Sequence, residues 1–229
     1  MLIKFGAIIT DGRGSLGGHV MSRNTYGAIM RTKVTPVNRS TTLQQNVRSS
    51  LTAIAQLWRS ITDAQRAAWG ALAQEVSRTN IFGDSVKLTP FNLFIRLNRN
   101  LNAIGISPIS DAPALPASVS VLSLTLTAKV AAGLVSLAYT LSAAGTGNHL
   151  LIQATPQVSA GISFVKSEYR QLVTIAATAA SPYVATASYA AMFGTPVLGK
   201  RIFIKAKVVN DASGFDSVAT QTSTIVLAT

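Results

Sequence analysis

The apolar period along this chain changes once, from the three-and-four spacing of helices to the alternation of strands, and that change predicts an α+β protein. The helical period occupies residues 41–105 and the alternating one residues 119–229, with Pro108, Pro113 and Pro116 between them. Residues 1–40 show neither period and are glycine-rich and basic. Four segments are therefore expected: an extended arm over 1–40, an α-helical region over 41–105, a Pro-rich linker over 106–118 and a β domain over 119–229.

In the arm, Leu2 to Thr10 and Gly27 to Val34 read as short extended segments around a turn-rich stretch, Asp11 to Gly18. Pro36 and Asn38 then break the chain. After Thr41-Thr42, the residues Val47, Leu51, Ile54 and Trp58 form one apolar stripe of an amphipathic helix. Thr62 followed by Gln65 is a capping-box pattern that opens a second helix, with Ala68, Trp69, Leu72 and Val76 on its inner face. So short a connection predicts a helical hairpin whose core the two tryptophans share. Thr89 with Pro90 opens a third helix along Phe91, Phe94, Leu97, Leu101 and Ile104, and Gly105 is placed to end it.

Past the prolines, Val135, Leu137, Tyr139 and Leu141 alternate with small or polar residues, as do Ile202, Ile204, Ala206 and Val208. Val119–Thr127, Leu150–Thr155, Tyr169–Ala176, Val184–Tyr189 and Val218–Leu227 are the further strand candidates, separated by Gly, Pro and Asn turns. About seven short strands in this length predict an immunoglobulin-like or fibronectin-like β-sandwich. The cysteine pair and core tryptophan of antibody domains are absent from it, since both tryptophans precede the linker.

Charge is lopsided. Residues 1–110 hold 13 of the 20 Lys and Arg, ten of the 12 arginines among them, against four of the eight acids. Only 12% of residues are charged, about half the ~25% of an average globular chain. A basic surface poor in carboxylates attracts anions or acidic protein faces. With no cysteine there is no disulfide or thiolate metal site, and His19 and His149 lie far apart in sequence. Neither histidine has an acid or a second histidine at ligand spacing, so no metal site is expected. The scattered carboxylates suggest no acid pair for hydrolysis. No stretch approaches the ~20 apolar residues of a bilayer-spanning helix, and no membrane partner is expected.

Gly12, Gly14 and Gly17 satisfy G-x-G-x-x-G after an apolar run. A dinucleotide site also needs a helix there and an acid about 20 residues on, and both are missing. Turns explain these glycines, and no cofactor is expected. The set Arg13, Arg23, Arg31, Lys33, Arg39 and Arg48 is the candidate partner-binding group. It could neutralise phosphates, pair with carboxylates of a partner subunit, or be plain solvated charge. Tyr26 is the one aromatic among these charges, so a base-stacking platform is not evident.

Two runs of residues carry a resemblance. One is Ser22-Arg23-Asn24-Thr25-Tyr26-Gly27 with Arg31, Pro36-Val37-Asn38, Thr41, Gln44 and Arg48. The other is Trp58-x-x-Ile61-Thr62-x-x-Gln65-Arg66-x-x-Trp69, followed by Pro90-Phe91-Asn92-x-Phe94. Over residues 12–100 the chain resembles a little-characterised family encoded among the structural genes of tailed bacteriophages and prophages. In that family a basic glycine-rich start precedes a tryptophan-bearing helical hairpin, and a β domain often follows. The resemblance implies a virion protein; taken with the basic start and the missing catalytic constellation, it leads us to expect a non-enzymatic one in multiple symmetric copies, capsid-associated and decorating or cementing the shell, with other virion proteins as partners. A head-to-tail or tail component is the second expectation. A basic DNA-binding protein is the rival from another class.

Overall fold

The structure, a computed structural model, describes residues 2–4, 6, 11–24, 27–117, 119–142 and 146–228. Its architecture is α+β, with antiparallel sheets and four helices among the described residues.

The N-terminal segment is a sheet. Strands β1 (Leu2–Ile3), β2 (Gly14–Leu16), β3 (His19–Asn24) and β4 (Gly27–Thr32) pair antiparallel in the order β1-β4-β3-β2. Gly17, at φ +56°, and Gly18 make the two-residue turn between β2 and β3. A strand follows the glycine motif where a nucleotide site would require a helix. Of the Leu2–Thr10 stretch only part is described, and positions 5 and 7–10 lie outside it. Among the described residues no second layer covers this sheet, and Ala28 is its one buried residue. A contact to the rest of the molecule runs from Lys4, which pairs with Asp84 at 2.9 Å and lies over the Phe82 ring. Both partners are exposed, so this tie contributes little.

Helix α1 (Thr42–Ser60) and helix α2 (Asp63–Glu75) form the hairpin. Each opens on a full capping box, Thr41 with Gln44 and Thr62 with Gln65. The apolar stripe of α1 is only half used. Ile54 is buried and Leu57 and Trp58 are partly so, whereas Leu43, Val47 and Leu51 are exposed. On α2 the inner face is Trp69, Leu72 and Ala73, and Ala68 faces solvent. A small hairpin, β5 (Ser77–Thr79) and β6 (Ser85–Lys87), leads to helix α3 (Pro90–Ala103). Thr89 caps α3, and Gly105, at φ +81°, follows its last turn. Phe94 sits between the two tryptophans, 5.1 Å from each ring.

The C-terminal region has two antiparallel sheets around one apolar core. Strands β7 (Val121–Ala128), β8 (Val135–Leu141) and β12 (Tyr183–Val184) make the smaller, in the order β12-β8-β7. The larger centres on β13 (Lys200–Asn210). Strands β9 (Asn148–Ala154) and β10 (Val158–Ser159) pair along one edge of β13, and β14 (Thr220–Ile225) along the other. Strand β11 (Arg170–Ala176) pairs with β9. The expected strand over Val184–Tyr189 is corrected here: it stops at Val184, and Thr186–Phe193 is a helix, α4. The helical turn buries Tyr189 fully and lets its hydroxyl donate to the Thr155 carbonyl at 3.0 Å. Burial pushes this phenol well above its ordinary pKa.

Helix α3 belongs to both halves. Leu93, Phe94 and Leu97 pack into the hairpin core, while Leu101 and Ile104 meet Leu151 and Val209 on the larger sheet. The expected linker runs along this junction. Asn98, fully buried, accepts from the Ile109 amide at 2.7 Å and donates to the Ile109 carbonyl at 3.2 Å. Helix, larger sheet and smaller sheet therefore stack as three layers.

Candidate partner-binding surface

The six candidate cations do not form one cluster. Arg23 lies opposite Ala28 in the β3–β4 register and Arg31 opposite Val20, which puts the two arginines on opposite faces of the sheet. Arg13 and Arg23 both reach Asp11, at 3.9 and 3.6 Å. Lys33 continues from β4, its backbone N–H donating to the Gly18 carbonyl at 2.8 Å. Arg39 is on the exposed extended stretch before α1, and Arg48 is on α1. Among the described residues, Arg31, Lys33, Arg39 and Arg48 have no carboxylate within ion-pair distance. Tyr26 lies outside the described residues.

Sequence reasoning missed where cations do converge. Arg48 of α1, Arg99 of α3 and Arg170 of β11 line one groove of about 710 Å³, together with Leu43 and Val47 and without any acid. The three come from separate segments and no spacing rule joins them. The groove exists because α3 is held to β11: the Gln171 side-chain amide donates to the Ala103 carbonyl at 2.8 Å, and the Thr174 hydroxyl donates to it at 3.3 Å.

A second charged group fastens α3 to β13. Arg96 and Lys207 pair with the two oxygens of Asp216 at 2.7 and 3.0 Å, and Lys207 also donates to Asn100. Burial would raise the Asp216 carboxyl, but Lys207 and then Arg96 outweigh it and hold the group below its ordinary value. On acidification the unfolded chain therefore takes up the proton first. The stability due to Asp216 is complete above the unfolded value, about 3.9, and is lost as pH falls through the lower folded value. Thermal melts of Asp216→Asn against the parent should show their widest gap near neutral pH and a shrinking gap below about pH 4.

His149 Nδ1 lies 2.6 Å from Asp211 Oδ1 and ties β9 to the turn after β13. Among the described residues no three His, Asp or Glu side chains are grouped to hold a metal ion. No helix among them is long and apolar enough to cross a membrane. No protein-family model, curated protein or solved structure matches the chain.

Proposed function

We propose that this chain is a non-enzymatic structural protein of a tailed-bacteriophage particle, present in many copies and anchored to neighbouring virion subunits through its basic N-terminal half. Attachment to the capsid as a decorating or cementing subunit is the preferred form. The carrying observation, among the described residues, is the uncovered sheet of β1 to β4 followed by exposed Leu43, Val47 and Leu51, with Arg31, Lys33, Arg39 and Arg48 lacking a carboxylate at ion-pair distance. A single-layer sheet and the half-exposed first turns of α1 gain little by themselves, because most helix and sheet stability comes from packing an apolar face. A neighbouring subunit supplies that packing. The C-terminal unit is read as an immunoglobulin- or fibronectin-like sandwich on two facing antiparallel sheets with one shared core.

Counting its copies in purified particles by quantitative mass spectrometry tests this reading. Copies on the scale of the capsid subunits support shell attachment. A number matching a ring at the portal moves it to the head-to-tail connector. Absence from the particle overturns the virion reading. Retention on duplex DNA at physiological salt, with a steep log–log salt dependence, would favour the DNA-binding rival instead.

A further inference from the structure

The groove between α1, α3 and β11 has a chemistry that specifies its occupant. Arg48, Arg99 and Arg170 contribute three positive charges to one concavity and no carboxylate lines it. Among the described residues, the hydrogen bond made by these guanidiniums is from Arg170 to its neighbouring Tyr169 carbonyl, at 3.3 Å. Beside them, Leu43 and Val47 stand one turn apart on α1, 73% and 51% exposed, and Leu51 continues the row. The surface thus joins a cationic wall to an aliphatic ridge.

The chain's own acids are mostly committed elsewhere. Asp11, Asp63, Asp84 and Asp216 are paired with Arg or Lys, Asp211 with His149, and Asp111 accepts from Gln65. Glu75 and Glu168 remain, one on α2 and one before β11. A second copy of this chain therefore has no acidic cluster to offer. A phosphate backbone could answer the arginines but not the leucine and valine, and no aromatic side chain lines the groove to stack a base.

We propose that this groove docks an acidic amphipathic segment of a partner protein, its carboxylates on Arg48, Arg99 and Arg170 and its aliphatic side chains on Leu43 and Val47. Arginine suits the role because its planar fork binds carboxylate in two parallel hydrogen bonds. The inference rests on the reading of the chain as a partner-binding structural protein and names the partner's chemistry.

Fluorescence anisotropy of the full chain with a labelled synthetic peptide bearing Glu and Leu at helical spacing tests it. The peptide should bind, and Arg48→Gln combined with Arg99→Gln should weaken it by about tenfold or more. Leu43→Ser should weaken it as well, while Lys129→Gln, just after β7 and outside the groove, should not. Equal binding of a peptide with Gln in place of Glu, no loss in the arginine variants, or stronger competition by duplex DNA would each overturn the proposal. Particle composition is read separately, so a chain missing from virions yet binding the acidic peptide would sink the virion reading and leave this one standing.

Discussion

Gly214→Ala should cost about 2–5 kcal/mol, combining a left-handed backbone penalty of about 1–2 with overpacking of about 1–3. Gly214 sits at φ +72° in the connection between β13 and β14, where that loop rests on α3. A methyl group there would lie 2.9 Å from the Leu97 carbonyl carbon and 3.1 Å from Leu101 Cγ, and closer still to the Leu97 oxygen. Two of these three atoms are helix backbone and cannot swing aside. The Gly214 carbonyl also accepts from the Asn100 side chain at 2.8 Å, so moving the loop away breaks that bond too. Gly105→Ala is the control. It shares the positive φ, at +81°, but its added methyl meets nothing within 4 Å, so it should lose only about 1–2 kcal/mol. Equal losses in the two variants, measured by chemical denaturation, would show that the close approach to α3 is not limiting. Because the same helix forms one wall of the arginine groove, Gly214→Ala should also weaken acidic-peptide binding, whereas Gly105→Ala should affect it less.

What could be read from sequence and what could not divides along the range of the deciding interaction. Thr62 with Gln65, Thr89 with Pro90, and Gly105 are local devices, and each occurs at its expected place. The alternation in Val135–Leu141 is equally local and gives β8 with its expected limits. Val184–Tyr189 failed because a distant contact favours the helix: from α4, Tyr189 is buried and reaches the Thr155 carbonyl, and an alanine-rich stretch permits the helix. The α1 stripe was legible as a helix but not as half-exposed, since nothing in Val47 or Leu51 marks them as residues that the rest of the fold leaves uncovered. Of the N-terminal strands, β1 and β4 lie within the expected extended segments, whereas β2 and β3 are short and flank a glycine turn, so periodicity had too few residues to register them. Arg48 was nominated for its place in a basic run. Its convergence with Arg99 and Arg170 depends on α3 bridging both cores, which is a property of the tertiary fold.

Trp69→Ala carries the largest expected loss, about 3–5 kcal/mol, the usual cost of truncating a fully buried aromatic to alanine. The indole is wholly inaccessible, meets Phe94 edge-on at 82°, and donates its N–H to the Ser110 carbonyl at 2.8 Å. It therefore joins α2, α3 and the Pro-rich segment at one point. A typical domain has only about 5–15 kcal/mol in total, so the variant should unfold its helical region well before the parent. Trp69→Phe separates the two contributions: it keeps most of the ring, leaves the Ser110 carbonyl without its donor, and should lose about 1–3 kcal/mol. In both variants Trp58 is the sole tryptophan, and its fluorescence reports on the region directly, since it packs on Phe91 and Phe94. A loss below about 1 kcal/mol for Trp69→Ala would contradict the packing assigned to it, being less than even a single buried methylene group contributes with its cavity. Peptide binding in the groove should fall together with helical stability, because Arg48 and Arg99 hold their places only while α1 and α3 share that core.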